Sequence, residues 1–532
     1  MGLYEKKKLL TFKSLNKVVK LKVKGKLINL KEEKSLTTRL LVISRSRVGI
    51  DISELFSKHE FSVVPHSLFD IEGKMLKCDD KSYFLRGLEE ALPSDLGDVQ
   101  QQSARNCVVL DGMGFVNQLK MKGVIKLEDL IQQFTERIEK EVFNKSHVVL
   151  VFDSYDPSLS ILKQATWDKR HKIQVQLKLS LVTIVKDISL KELLSHPTNK
   201  KVLTQYFAES CESLFRRQDK TYIIAFGTKL LSNVPHLVNT SHKHPEADTL
   251  MICLINEISQ LIPDLKVLLV SPDTDVFMLA VNYVATHPMT DILFELLTSK
   301  GRRNIQINSV CDFYGADVCR SLLGLYIFTG CDQLSSFKSI TKERVFKQFT
   351  SLINRNDIVI LHALSILGDD EIPSPELRQS LEKLTILLYI SKKKDLGERY
   401  KELQEIGTLR WELHSKFSED SCDLPPTPAA LKFHVLRANY ITLTWKRLIM
   451  SLDPILPNLV GNGWDSEMLP VMTDELPAPE SSLELTICKC SKTHCTNNQC
   501  SCRKNKLQCT EACQCKTCEN EELSFEESGL EP

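Results

Sequence analysis

Val267-Leu268-Leu269-Val270-Ser271-Pro272-Asp273-Thr274-Asp275 decides how this chain is read. Val267–Val270 is apolar at every position and too short for a helix, the pattern of a strand buried on both faces. It stops at Ser271-Pro272, and two carboxylates follow at once. The same order occurs upstream. Cys107–Leu110 runs into Asp111, in Val109-Leu110-Asp111-Gly112-Met113, and His147–Phe152 runs into Asp153. Tyr222–Phe226 and Ile292–Leu296 are further strand-like runs. Helical periodicity fills the gaps, at Lys126–Val142, Val202–Phe215, Ala247–Leu261, Val276–Val284 and Ala316–Phe328. Strands alternating with helices predict an α/β fold, a parallel sheet covered by helices on both faces.

In such sheets ligands gather at the carboxyl ends of the strands. Asp111, Asp153, Asp273 and Asp275 are placed there. Glu246 and Asp248 open the predicted helix after Pro245, and Asp332 follows another in Phe328-Thr329-Gly330-Cys331-Asp332. Taken singly, an Asp after a strand is an ordinary turn residue or helix cap. Seven carboxylates converging on one edge repel, and such a cluster calls for cations. An all-oxygen donor set suits Mg2+ or Mn2+ rather than zinc. Two such ions about 3.5–4 Å apart can activate water and stabilise a leaving oxygen in phosphodiester cleavage.

Nine of the 17 cysteines fall near the C-terminus: Cys488, Cys490, Cys495, Cys500, Cys502, Cys509, Cys513, Cys515 and Cys518. Structural zinc takes four thiolates. Six terminal and three bridging thiolates supply the twelve bonds of three zinc ions, so nine cysteines suffice. Met1–Lys8 is not followed by an apolar stretch, so no secretory signal is expected. A disulfide framework is therefore disfavoured.

The rest of the chain sets bounds. Its 532 residues allow about three to four domains. A net charge of +1 excludes a wholly polybasic or acidic chain, and 42% hydrophobic content argues against disorder throughout. No apolar run reaches the ~18 residues of a membrane span. Lys6–Lys31 holds ten lysines and no acid, and Val18–Leu30 alternates apolar residues with Lys. That is the pattern of one half-buried strand with a basic face, a solvated surface or a phosphate-facing one. Residues 452–480 are rich in proline and read as a linker or a wrapping segment. The tail Glu519–Pro532 carries six acids and no base.

The ordered set Asp111, Asp153, Glu246-Ala247-Asp248, Asp273-Thr274-Asp275, Gly330-Cys331-Asp332 resembles the flap endonuclease/XPG group of PIN-like nucleases. The resemblance implies a PIN-like twisted parallel sheet and a two-metal nuclease site. In it Asp111, Asp153, Glu246 and Asp248 serve one ion, and Asp273, Asp275 and Asp332 complete the second. It also implies phosphate contacts from Lys163, Lys169 and Arg170, and from Lys338, Lys342 and Arg344 in a helix–turn–helix that grips duplex. Ser339 and Thr341 there replace the usual glycines. The 92 residues between Asp153 and Glu246 leave room for a helical arch. The cysteine spacing resembles the tesmin-like CXC domain, which implies three zinc ions and attachment to DNA. Taken together, the Phe328–Asp332 stretch, Leu424–Thr427, Arg437–Tyr440 and the CXC module resemble a group of multicopy animal proteins, a likeness that adds no reaction.

The expected organisation is a basic N-terminal region (1–104), a nuclease domain (105–350), a helical region (351–451), a Pro-rich linker (452–485), the CXC zinc module (486–520) and an acidic tail (521–532). The expected function is metal-dependent hydrolysis of DNA, in the nucleus, with zinc-mediated attachment to DNA or chromatin and no membrane partner. A catalytically inactive DNA- or chromatin-binding adaptor and a PIN-type ribonuclease are the alternatives.

Overall fold

A computed structural model describes residues 18–23, 26–31, 51–62, 64–78, 80–92, 105–154, 176–298, 301–391, 402–417, 423–475, 488–505, 508–509 and 513–520. The chain forms two compact units. One comprises Met1–Met75, Asp395–Phe433 and Met472–Pro532, the other Leu76–Lys394 and His434–Val471.

In the first unit, β1 (Val18–Val23) and β2 (Lys26–Lys31) pair antiparallel, Val23 opposite Lys26. The single strand expected over Val18–Leu30 is thus a hairpin. Alternation continues through both arms, so periodicity alone does not reveal that the two arms pair antiparallel. Elsewhere in this unit, Arg410 is 1% exposed and donates from Nε to the Phe56 carbonyl at 2.9 Å. It ties the helix Ile406–Phe417 to the C-terminal end of Ile52–Lys58.

The second unit is built on one sheet. Its strands are β3 (Cys107–Asp111), β4 (His147–Val151), β5 (Thr221–Phe226), β6 (Lys229–Ser232), β7 (Lys266–Ser271), β8 (Asp291–Thr298) and β9 (Gly301–Gln306). Their order is β6-β5-β4-β3-β7-β8-β9. The five inner strands are parallel, and β6 and β9 run antiparallel at the edges. The α/β expectation holds, with the five predicted strands all inside this sheet. Every residue of β3 is buried.

Helices cover the sheet through apolar faces at helical spacing. In Leu127–Val142 the buried positions are Leu127, Leu130, Ile131, Phe134, Ile138 and Val142. Phe134 packs on Phe207 at 4.5 Å between ring centroids. Full burial of a side chain of this kind contributes about 1.5–3 kcal/mol. Residues 190–232, within the segment expected to hold an arch, are largely core elements: the helices Leu190–Leu193 and Pro197–Arg217, then β5 and β6. Only a shorter stretch after Asp153 is left for an arch.

The region after residue 350 is mainly helical, at Ile358–Ile366, Pro375–Ile390, Ile406–Phe417 and Pro428–Leu448. Trp445 and Trp464 are 3% and 2% exposed. Arg437 donates from Nη1 to the Gly463 and Val471 carbonyls at 3.1 and 2.6 Å, which fastens the proline-rich stretch around Trp464. Among the described residues no helix is long and apolar enough to cross a membrane.

Candidate metal centre

Chain direction fixes where the acids meet. β4 and β5 extend the sheet on one side of β3, while β7 and β8 extend it on the other. The order therefore reverses between β3 and β7, the place where open α/β sheets form a crevice. Leu110 pairs with Val270 and Asp111 with Val151, so the three strands end level.

Asp111 is the last residue of β3 and also caps the short helix Gly112–Val116. Its Oδ1 accepts from the Gly114 amide at 2.9 Å and its Oδ2 from the Ser271 hydroxyl at 3.1 Å. Ser271 Oγ in turn accepts from the Asp273 amide at 3.1 Å, linking the ends of β3 and β7. Asp153 Oδ1 accepts from the Ala247 amide at 3.0 Å, at the start of helix Ala247–Ser259. Glu246 stands at the N-terminal boundary of that helix and accepts from Gln333 at 3.0 Å; Asp248 lies in its first turn.

The helix Thr274–Thr286 repeats the arrangement, with Asp273 as cap and Asp275 in the first turn. Both helix starts favour negative charge. Asp275 is 2% exposed and accepts from the hydroxyl of buried Tyr326. One oxygen from each of Asp248, Asp273 and Asp275 lies within 4.8 Å of the others. Oxygens so spaced can ligate one hard cation, since Mg–O distances are about 2.0–2.1 Å and Ca–O distances about 2.3–2.6 Å.

Electrostatics point the same way. Burial, then the neighbouring Asp275 charge, pushes the Asp273 carboxyl up to about 7. Burial also lifts Asp111 to about 6, with Asp153 adding to the rise and the Gly114 amide opposing it. These acids are held where their charged forms are penalised, a penalty that a bound cation relieves.

Asp332 lies at the other end of the cluster, after Gly330. Gly330 has φ +112°, and a Cβ there would meet Ser336 Cα at 2.7 Å and its amide nitrogen at 2.9 Å. Neither atom can swing aside. Gly330→Ala is expected to cost about 2–3 kcal/mol in denaturant unfolding and to displace Asp332. The loop is also held from behind. His434, buried and kept neutral by burial, bonds the Phe328 carbonyl at 2.8 Å and Ser335 Oγ at 3.2 Å.

The basic residues fare differently. Lys163, Lys169 and Arg170 lie outside the described residues. Lys338 and Arg344 are half-buried, Arg344 in the first turn of Lys342–Asn354. Lys342 is corrected: it is 2% exposed, and its ammonium donates to the Tyr326 carbonyl at 2.7 Å and Thr329 Oγ1 at 2.9 Å. It lies 4.5 Å from the Tyr326 ring centroid, and burial lowers it to about 8. It shares the buried face of its helix with Val345, Phe346, Phe349 and Leu352, so it braces the site from inside and does not face a phosphate. Ser339, standing where a glycine was expected, does take the left-handed conformation, φ +62°.

Sequence reasoning missed Lys81, Ser271, Tyr326 and Gln333. Lys81 Nζ lies 2.5 Å from Asp332 Oδ1 and 3.5 Å from Asp275 Oδ2. Burial alone would lower its ammonium, but the two carboxylates outweigh burial and raise it. Nothing near Lys81 in the sequence marks it. Tyr326, the sole hydroxyl-bearing aromatic in an apolar helix, was the available signal for a buried polar role.

The cysteine module forms a second centre. Sulfur–sulfur separations are 3.6 Å for Cys488–Cys495, 3.7 Å for Cys488–Cys509, 3.8 Å for Cys500–Cys509 and 3.6 Å for Cys502–Cys513. A disulfide would be about 2.05 Å. Tetrahedral thiolates about 2.3 Å from zinc stand about 3.8 Å apart. Three sets of four cysteines could each hold an ion, and all three contain Cys488. Asn520, 2% exposed, donates from Nδ2 to Cys509 Sγ at 3.4 Å, a supporting contact that the cysteine spacing did not reveal.

No protein-family model matches the chain, and no curated protein matches it. Solved structures similar to it include flap endonuclease-1 from Methanococcus jannaschii, at 15% identity and TM-score 0.28, covering 67% of this chain and 98% of that one. The catalytic core of Rad2 in complex with DNA substrate is similar at 15% identity and TM-score 0.30, covering 70% of this chain and 98% of that one. What stands is the chain's own architecture: a parallel sheet whose switch point gathers carboxylates from several elements, and a separate cluster of thiols spaced for metal.

Proposed function

We propose that this protein is a divalent-metal-dependent nuclease acting on DNA in the nucleus, with a zinc-binding CXC module that attaches it to DNA or chromatin. The convergence of Asp248, Asp273 and Asp275 at the switch point is the observation that carries the proposal. The donor set fits Mg2+ or Mn2+: all oxygen, Asp275 buried and Asp248 and Asp273 partly exposed, with Asp273 and Asp111 lifted toward neutrality by burial. A cation held there supplies Lewis acidity to a phosphodiester and its attacking water.

The chain's residues do the rest. Tyr326 fixes the orientation of Asp275, Ser271 that of Asp111, and the Ala247 amide that of Asp153. Asp111, Asp153 and Glu246 extend the negative surface beside the three converging acids. The nine cysteines are assigned three zinc ions.

The test is incision of end-labelled flap, duplex and single-stranded DNA and of RNA by the purified full chain, with Mn2+ or Mg2+ and with chelator. DNA cutting that requires the ion is expected. Preference for RNA would make the protein a ribonuclease. No cutting by folded, zinc-loaded protein would leave the adaptor.

The basic residues give a separate prediction. Lys338 and Arg344 are assigned to phosphate contact, Lys342 to the interior. Lys338→Ala should weaken duplex binding across sequences and reduce the salt slope of log K by about one. Lys342→Ala should leave that slope unchanged yet lower stability by about 2–4 kcal/mol, because it empties a packed site and strands the Tyr326 carbonyl. Fluorescence anisotropy over a salt series, beside thermal unfolding, separates the two.

A further inference from the structure

One cation at the centre has no role in the mechanism above. Lys81 stands just before the helix Ser82–Ala91, and its side chain is 18% exposed. Its ammonium touches Asp332 at 2.5 Å and Asp275 at 3.5 Å, two of the three acids that the family resemblance assigned to a second divalent ion.

The position is built. Phe84, one turn along the same helix, is fully buried and meets the Tyr326 ring edge-on at 5.7 Å and 83°. Gly87, a turn further, lies so close to the Phe346 ring that a Cβ would meet it at 2.7 Å. Asp80 takes the left-handed conformation at φ +49° and accepts from Ser82 Oγ at 2.7 Å and Arg86 Nη2 at 2.5 Å, which sets the turn that presents Lys81. The Tyr326 that holds this helix also donates its hydroxyl to Asp275. One aromatic residue thus ties the lysine-bearing element to the acid that the lysine faces.

We propose that Lys81 is a resident cation in place of the second divalent ion, so that the centre takes a single ion at Asp248, Asp273 and Asp275 while the ammonium balances Asp275 and Asp332. This rests on the nuclease reading and deepens it. Asp332 is half-exposed, and a second divalent ion on it would meet the ammonium that this carboxylate already holds at 2.5 Å, two cations repelling across a few ångströms. A lysine supplies a compact point charge and three donors. The second positive centre, which two-metal sites use to stabilise one of the reacting oxygens, is then part of the chain.

The experiment counts Mn2+ bound to the zinc-loaded full chain by electron paramagnetic resonance, with Asp273→Asn/Asp275→Asn as the blank. One ion is expected for the native chain and for Lys81→Arg. Lys81→Met should bind two, the second at least tenfold more tightly than any second ion on the native chain. Two ions on the native chain, or one on folded Lys81→Met, would overturn the proposal. Should Lys81→Met not fold, the counts on the native chain and on Lys81→Arg decide: two on either overturns it, and one on both supports it. Incision is scored separately. A native chain that cuts with two ions leaves the nuclease and removes the Lys81 assignment. Counts of one and two without cutting keep the assignment and remove the nuclease. No bound Mn2+ overturns both.

Discussion

Replacing Asp273 and Asp275 together with Asn is expected to lower the incision rate by about three orders of magnitude or more, the scale seen when members of a catalytic unit are removed. The fold should survive. Asn caps a helix about as well as Asp, and its Oδ1 can still accept the Asp275 backbone amide that Asp273 accepts at 2.9 Å. Asn at 275 likewise still offers an oxygen to the Tyr326 hydroxyl. What the substitution removes is negative charge in a place built to concentrate it. Retained cutting by the double variant would end the assignment of the site.

The same chemistry predicts a pH signature. Asp273 titrates at about 7 in the folded protein against 3.8 when unperturbed, because burial and Asp275 penalise its charge. Between those values the native state binds more protons than the unfolded one, so the contribution of Asp273 to stability falls as pH rises from about 4 to about 7 and is flat beyond. Asp273→Asn lacks that penalty. Without divalent metal it should be more stable than the native protein at pH 8, by up to about 4 kcal/mol, and the gap should close below about pH 4. Asp111 titrates in both proteins and largely cancels. Metal affinity of the native chain should fall as pH drops below about 7, since a bound ion must displace the Asp273 proton. Unfolding of both proteins at pH 5 and pH 8, with and without Mn2+, tests all three statements.

Much of this centre was legible because burial on both faces leaves a mark in sequence. β3, β4 and β7 are mostly Val and Leu; β3 ends on Asp111, and Asp153 and Asp273 each stand two residues beyond the ends of β4 and β7. The edge strands left no such mark. β9 reads Gly301-Arg302-Arg303-Asn304-Ile305-Gln306, with Arg302 paired to Glu141 and Glu295, as an edge that discourages further pairing should be. The family resemblance places Lys342 at a phosphate. Its spacing to Val345, Phe346 and Phe349 places it on the buried face, and that periodicity was available without the structure. Lys81 was not. Its role depends on Phe84 reaching Tyr326 across more than 200 residues of chain, a tertiary fact with no local trace.

Stripping zinc, or replacing Cys488 with Ser, is expected to unfold residues 488–520. Among the described residues the buried cluster there consists of cysteines: Cys488, Cys495, Cys500, Cys502 and Cys509, with Cys490, Cys513, Cys515 and Cys518 packed against them. Five buried thiols cannot by themselves offset the conformational entropy of ordering such a segment. Thiolate–zinc bonding can, at about 10–16 kcal/mol per structural ion. The effect should also be graded. Cys488 belongs to all three sets of four thiols, whereas Cys518 belongs to none of them. A bridging sulfur serves more than one ion, so Cys488→Ser should lose most of the zinc and Cys518→Ser at most one ion of three. Zinc per chain by mass spectrometry of the metal, with limited proteolysis of the module, reads both. Equal losses would mean that no thiol is shared in the way the sulfur separations imply. A native chain without zinc would mean that the thiols pack for another purpose, leaving the module with nothing to hold it folded.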